Sequence, residues 1–209
     1  MTIKEHLLKF NNIFFYYVLE KKLADCKTVL DVGCGHSSSI GMIHRTFKSE
    51  GIDIFKKTLE LSKKRKLHDS YRLGDITKLT KIYKKNSFDA CVAIDVIEHF
   101  TKKDALKLIK DMEVIAKKRV ILLTPNGYYE QDDYDGNPYQ RHKSGWRKSD
   151  LTSIGYSVFG LRGLQVLRDD HASIRFKPWI VWGFLSFLSE ILFYRLPSVS
   201  FDLFAVKDV

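Results

Sequence analysis

Four apolar segments of this chain each end in an aspartate, and their spacing strongly limits the fold that it can adopt. The aspartates are Asp31, Asp53, Asp75 and Asp95, and segments of helical periodicity separate the first three. Such alternation predicts βαβ units whose strands lie parallel in one sheet. Because ligands of these sheets bind outside the carboxyl ends of the strands, we expect the four carboxylates to meet at one binding edge.

The remaining pattern predicts further elements around this sheet. Predicted strands cover 28–32, 50–54, a third ending near Asp75, then FDACVAIDV, RVILLTPN, YSVFGLRG and FDLFAVKDV. Predicted helices cover 2–24, the stretch from the glycine loop to about Phe47, KKTLELSKKRK, KKDALKLIKDMEVIAKK and the short KSDLTSIG. We expect a single α/β domain over residues 1–209, with helices on both faces of a Rossmann-like sheet and a helical N-terminal cover at 1–25.

An apolar insertion at 162–199 separates the last two predicted strands. Its segment Trp179 to Tyr194 is 16 residues long and contains Glu190, whereas a membrane-spanning helix needs about 20 apolar residues. Three interpretations stay open: a helix packed on the sheet or on a second copy, a mobile lid over an apolar substrate, or a helix in a membrane interface near anionic headgroups.

The loop after the first strand carries Gly33-Cys34-Gly35 and predicts close approach of the backbone to a ligand. Glycine has no Cβ to obstruct that approach. Asp53 ends the next strand, where an acid is placed to bind ribose hydroxyls. A third glycine is missing, which argues against a dinucleotide site, and no Walker loop follows. The structural alternatives are a tight turn at the glycines and a helix cap at Asp53.

The motifs VLDVGCG, GIDI, LGDIT and FDACVAIDVIEHF together resemble those of class I S-adenosylmethionine-dependent methyltransferases, over about residues 28–124. The resemblance implies a seven-stranded sheet with an antiparallel last strand and S-adenosyl-L-methionine as cofactor. The residues that it implies for cofactor binding are Asp31, Gly33, Cys34, Gly35, Asp53, Ile54, Asp75, Ile76, Asp95 and Val96.

Two histidines are the candidates for catalysis. Methyl transfer to a hydroxyl needs a group that takes the proton, and histidine is suited to this at neutral pH. His99 follows the fourth predicted strand, and His142 lies in the loop after the fifth. Asp95, Glu98, His99 and His142 also resemble the metal set of small-RNA 3′-end 2′-O-methyltransferases, which carry Glu where this chain has Asp95. We assign no metal ligand from the sequence.

The net charge of +10 indicates an anionic partner or a solvated lysine surface. The three cysteines form no metal-binding spacing and indicate reduced thiols in a cytoplasmic compartment. We therefore expect methyl transfer to an oxygen or nitrogen of a small-molecule, lipid-linked or glycan-like acceptor. RNA 2′-O-methylation is less favoured because no separate RNA-binding motif is present. A non-catalytic cofactor-binding subunit, a homodimer and contact with an anionic membrane stay open.

Overall fold

The computed structural model describes residues 12–133, 136–169 and 173–209. Its strands are β1 Thr28–Val32, β2 Lys48–Asp53, β3 Ser70–Leu73, β4 Phe88–Ile94, β5 Ala116–Pro125, β6 Ser157–Leu164 and β7 Ser200–Asp208. Its α-helices are α1 Ile13–Leu23, α2 Lys56–Arg65, α3 Leu79–Ile82, α4 Lys102–Ile115, α5 Lys148–Thr152 and α6 Trp179–Phe193. Of the helix predicted over 2–24, residues 2–11 lie outside the described part of the chain.

All seven strands form one sheet in the order β3-β2-β1-β4-β5-β7-β6. The strands from β1 to β5 pair in parallel, and β7 runs antiparallel to both β5 and β6. The predicted Rossmann-like sheet with an antiparallel last strand is therefore confirmed. The strand order reverses between β1 and β4, and a crevice at such a reversal is where ligands bind.

Helices and turns cover both faces of the sheet. On one face, α4 buries Leu108, Ile109 and Met112 against the strands. On the other, α1 buries Phe15 and Leu19. Since both faces are covered, the central strands are apolar on both sides, as expected of a parallel sheet.

The prediction of a helix between the glycine loop and Phe47 was wrong. The structure has only a 3₁₀ turn there, Ser39–Met42. The hydroxyl of Ser38 accepts a hydrogen bond from the Ile40 amide at 3.1 Å and donates one to the Asp31 carboxylate. Serine side chains compete in this way with helical backbone bonds, and Gly41 further weakens a helix.

The long segment between β5 and α5 is anchored at its start by Asn126. This buried side chain donates to the carbonyl oxygens of Pro197 and Ser200 at 3.1 and 2.9 Å. The amide of Gly127 donates to the Trp146 carbonyl at 2.8 Å, so the two ends of the segment lie together. The segment is therefore held over the carboxyl ends of the strands. None of the helices in the described residues has both the length and the hydropathy needed to cross a membrane.

Candidate active site

A cavity of about 550 Å³ opens at the reversal between β1 and β4. The ten residues singled out for cofactor binding all line it: Asp31, Gly33, Cys34, Gly35, Asp53, Ile54, Asp75, Ile76, Asp95 and Val96. The volume falls in the range of small-molecule and cofactor sites. The topology thus brings together residues that are far apart in sequence.

The two glycines of the loop after β1 meet different constraints. Gly33 has φ +69°, and a Cβ there would lie 2.8 Å from Cγ2 of Val96. Gly35 has φ +56°, but a Cβ there would meet no atom within 4 Å. Gly33 is therefore required by packing and backbone conformation, whereas Gly35 borders the open cavity.

Asp53 joins the glycine loop to the end of β2. Its carboxylate accepts hydrogen bonds from the amides of Gly35 and Phe55, both at 2.8 Å. Burial raises the pKa of Asp53 above its usual value even though these bonds favour the charged form. Asp53 thus orders the loop while its side chain lines the cavity.

Asp31 is almost enclosed at the end of β1. Besides the Ser38 hydroxyl, it faces Nε2 of His68 at 3.3 Å. His68 is buried between α2 and β3, and no sequence pattern identified it as a neighbour of the site. The contacts of Asp31 are therefore mainly within the protein.

Asp75 lies two residues beyond the end of β3. Its Oδ1 accepts from the hydroxyl and the amide of Thr77 at 2.7 and 3.0 Å, and Lys78 lies 3.0 Å from Oδ2. The Thr77 hydroxyl contributes most to lowering the pKa of Asp75. The capping of this turn shows why β3 ends earlier than predicted.

Cys34 is a buried thiol within the loop. Burial, together with the nearby carboxylates of Asp31 and Asp53, raises its pKa. The thiol therefore stays protonated at neutral pH and is a poor nucleophile.

Asp95 follows β4 with a left-handed backbone, φ +53°. Its Oδ2 lies 3.4 Å from Nη2 of Arg162 on β6, and Nη1 of the same guanidinium lies 2.9 Å from Asp202 on β7. The sequence analysis missed both Arg162 and Asp202, because β6 and β7 follow in the chain after the motifs that indicated the site.

His99 and His142 lie together beside the cavity. Their ring centroids are 4.9 Å apart. His99 lines the cavity, and His142 packs against the His99 ring. The two loops meet because the carbonyl of Glu98 accepts from the amides of Lys143 and Ser144 at 2.8 and 3.1 Å.

The hydrogen bonds of the two rings assign their tautomers. Nδ1 of His99 lies 3.3 Å from the Arg141 carbonyl, and Nδ1 of His142 lies 2.8 Å from the Tyr129 carbonyl. Because a carbonyl oxygen only accepts, each Nδ1 carries a proton, and in a neutral His99 ring Nε2 keeps a lone pair. Burial, followed by the neighbouring His142, lowers the pKa of His99 to about 4, so its ring is neutral at pH 7.

Glu98 lies buried next to this pair. Its Oε2 accepts a hydrogen bond from the Thr124 hydroxyl at 3.0 Å. Burial, with a contribution from Asp95, raises the pKa of Glu98 well above its usual value. One potential ligand atom from each of Glu98, His99 and His142 lies within 4.8 Å of the others, and Asp95 is outside this group.

The segment after β5 adds three cavity residues that sequence reasoning did not name: Asn137, Tyr139 and Gln140. The Asn137 side chain accepts from the Tyr139 amide at 3.0 Å, and Pro138 begins a 3₁₀ turn there. An Asn-Pro pair is a turn signal, but it does not show where the turn lies in space.

A family model described as a methyltransferase domain matches residues 30–124. These are the residues that build the glycine loop, the ends of β1 to β4 and the His99 turn. Residues 30–124 are therefore similar to a methyltransferase domain. No curated protein matches the chain.

Solved structures show the same fold over nearly all of this chain. An S-adenosylmethionine-dependent methyltransferase from Archaeoglobus fulgidus is 14% identical, with 97% of this chain and 99% of that chain covered and a TM-score of 0.59. The methyltransferase domain of bacterial CtHen1 is 19% identical, with 97% and 100% covered and a TM-score of 0.59. Magnesium protoporphyrin IX methyltransferase from Synechocystis PCC 6803, with its S-adenosylmethionine bound, is 15% identical, with 99% and 85% covered and a TM-score of 0.53.

The structures of magnesium protoporphyrin IX methyltransferase hold S-adenosylmethionine or S-adenosylhomocysteine. The residues of this site would fit S-adenosylmethionine on two observations. The left-handed Gly35 borders open space that a side chain would enter, and carboxylates from the ends of four strands line the cavity. A bare backbone and convergent polar groups are what a nucleoside-bearing ligand requires.

Proposed function

We propose that this methyltransferase transfers a methyl group to a hydroxyl oxygen of a small-molecule, lipid-linked or glycan-like acceptor, with His99 taking the proton. The supporting observation is the position and tautomer of His99. Its ring lines the cavity, and the bond from Nδ1 to Arg141 leaves Nε2 with a lone pair. A nitrogen acceptor would also fit the fold, but a hydroxyl has the greater need of a proton acceptor.

The proposed roles of the cofactor-binding residues follow their places around the cavity. Gly33, Cys34 and Gly35 would face the methionine and ribose part of the cofactor, and Asp31 would face its amino-acid end. Asp53 would bind the ribose hydroxyls and Asp75 the adenine amino group, with Ile54 and Ile76 against the faces of the adenine ring. Asp95 and Val96 would border the methyl group. The cofactor supplies an electrophilic methyl group on a sulfonium. The chain binds, orients and excludes water around the reacting atoms.

Two histidines would act where the acceptor binds, one by accepting a proton and the other by orienting its neighbour. His99 receives the hydroxyl proton at Nε2, and the Arg141 carbonyl stabilises the Nδ1–H of the resulting cation. His142 packs against His99 and is itself held by the Tyr129 carbonyl. We propose that His142 fixes the orientation of the catalytic ring.

The test begins with cofactor binding and continues with methyl transfer. Calorimetry with S-adenosylhomocysteine should show binding to the wild type and none to Asp53→Ala. Metabolite, lipid and RNA extracts are then incubated with radiolabelled donor to find the acceptor. On that acceptor, His99→Gln should lower the rate at least about a hundredfold and leave S-adenosylhomocysteine binding within about twofold.

The matched control is His44→Gln, which replaces an exposed histidine away from the cavity and should behave as the wild type. If His99→Gln methylates at the wild-type rate, the base assignment is wrong. If the wild type binds the cofactor product but labels no extract, the non-catalytic alternative is favoured.

A second candidate is metal-assisted RNA 2′-O-methylation, and the grouping of Glu98, His99 and His142 favours it. Two imidazoles and one carboxyl group are a ligand set suited to a divalent cation. In support of the metal-free reading, Asp95 faces Arg162 and not this group. Labelling of the RNA extract that EDTA abolishes and Mn²⁺ restores would favour the metal reading. EDTA-insensitive labelling would exclude it.

A further inference from the structure

Helix α6 buries a polar side and exposes an apolar side. Its polar residues Ser186, Ser189 and Glu190 are buried, with Glu190 2% exposed. Its apolar residues face outward, with Ile180 88% and Leu192 74% exposed. Surface helices normally present the opposite arrangement. This helix therefore offers a continuous apolar surface, which we call the α6 outer face: Trp179, Ile180, Val181, Phe184, Leu185, Leu188, Ile191 and Leu192.

The buried polar side fixes this orientation. Oε1 of Glu190 accepts a hydrogen bond from the Arg162 amide at 2.8 Å. The hydroxyl of Ser189 accepts one from the Leu164 amide at 3.0 Å. These are backbone donors at an irregular stretch of β6, where the register with β7 shifts between Leu161 and Leu164. Turning the helix over would leave these buried donors without acceptors, which is costly.

Close backbone contact supports the same orientation. A Cβ at Gly163 would overlap the carbonyl oxygen of Ser186, so only glycine lets the helix lie this near the strand. The guanidinium of Arg168 donates to the Ser186 hydroxyl at 3.3 Å. The outward apolar side is thus a consequence of specific contacts on the inward side.

The length of α6 limits what can cover the outer face. Fifteen residues give a helix of about 22 Å, whereas the hydrocarbon core of a bilayer is about 30 Å thick. A helix of this kind lies along a membrane interface, with its apolar side towards the acyl chains.

The charges at the ends of α6 favour an anionic bilayer over a second copy of this chain. Arg175 and Lys177 precede the helix, Arg195 follows it, and all three are exposed. The Lys177 ammonium lies 5.5 Å from the centroid of the Trp179 ring, and tryptophan beside basic residues is typical of membrane interfaces. Two copies would bring together two chains of net charge +10, which repel.

We propose that the α6 outer face binds the surface of an anionic lipid bilayer, with Arg175, Lys177 and Arg195 at the headgroups. This proposal does not depend on the identity of the methyl acceptor. Arg162 connects the helix to the cavity, because its amide contacts Glu190 on α6 and its guanidinium contacts Asp95 in the cavity lining.

The test is flotation of the full-length protein with vesicles of phosphatidylcholine alone or of equimolar phosphatidylcholine and phosphatidylglycerol. The wild type should float with the mixed vesicles and release as salt is raised. The variant Ile180→Gln/Leu192→Gln should bind at least about tenfold more weakly, because it removes apolar burial in the membrane. Its two side chains are the most exposed of the outer face, so circular dichroism and S-adenosylhomocysteine binding should match the wild type.

The matched control replaces two exposed apolar side chains on other helices, Leu61→Gln/Val114→Gln, and should float as the wild type does. Equal flotation of both double variants would overturn the proposal. So would a wild type that stays with neither vesicle, or one that light scattering shows as a dimer which Ile180→Gln/Leu192→Gln converts to a monomer. None of these outcomes depends on methyl transfer, so they do not decide the proposed function.

Discussion

Single residues at the end of β1 show how much of the site can be predicted from the sequence. The sequence predicted a bare backbone at Gly33 and Gly35, and both have left-handed φ values. It could not separate their reasons, because the constraint on Gly33 comes from Val96, which lies 63 positions further along the chain. Arg162 was missed for the same cause: its relation to Asp95 exists only in the folded sheet.

Alanine at the two glycines should therefore have different effects. Gly33→Ala should lower the free energy of unfolding by more than about 2 kcal/mol, because a left-handed backbone is combined with a clash. Gly35→Ala should lower it by about 1 kcal/mol, from the backbone alone, yet weaken S-adenosylhomocysteine binding at least about tenfold. Urea denaturation and calorimetry measure the two quantities. Equal stability losses would show that Val96 yields to the added methyl group.

At the scale of elements, the strands were predicted better than the segments between them. Apolar runs identify buried strands such as β4 and β5 directly. The helix expected before Phe47 failed, because the Ser38 hydroxyl and the Asp31 carboxylate organise that stretch through side-chain bonds. The apolar segment Trp179 to Tyr194 noted in the sequence coincides with α6 to within one residue. Its inward polar side could not be predicted, since the partners are backbone amides of β6.

The inward side of α6 makes a prediction about Glu190. Glu190→Leu leaves the part-buried Arg162 amide without an acceptor, which should lower the free energy of unfolding by about 1–3 kcal/mol. Glu190→Gln keeps a side-chain oxygen at the same place and should cost less than half as much. Urea denaturation followed by tryptophan fluorescence compares the two variants. A leucine variant as stable as the wild type would mean that the helix is held by its apolar contacts alone.

For the whole molecule, a buried cluster of charges joins the cavity, the sheet and α6. Asp95, Asp202 and Glu190 contribute three carboxylates, and Arg162 and Arg168 contribute two guanidiniums. Burial lowers the pKa of Arg162, but Asp202 and Asp95 more than compensate and raise it above its usual value. Burial raises the pKa of Asp202 to about 7, against the effect of Arg162. The three acids exceed the two bases, so the cluster retains a proton until near neutral pH.

This cluster should make stability depend on pH. Folded Asp202 binds its proton more tightly than unfolded aspartate, so its contribution to the free energy of unfolding falls as the pH rises from about 4 to about 7. In Asp202→Asn that fall is absent. From pH 4 to pH 8, the stability of the variant relative to the wild type should rise by up to about 4 kcal/mol. Urea denaturation at constant ionic strength measures the difference, and the effects of other titrating groups cancel in it.

A constant difference between the wild type and Asp202→Asn across this range would contradict the prediction. It would show that Asp202 ionises in the folded protein as it does in water. The sequence could not have indicated this group, because FDLFAVKDV identifies Asp202 only as one acid in an apolar strand.

The buried bonds between α6 and β6 also limit how a substrate can reach the methyl group. Swinging the helix away from the sheet would break the contacts of Glu190 and Ser189 with backbone amides and uncover the guanidiniums beside them. Opening of α6 as a hinged cover would carry that cost on every turnover. Entry of an acceptor past the turn that carries Asn137 and Tyr139, which line the cavity, would avoid it.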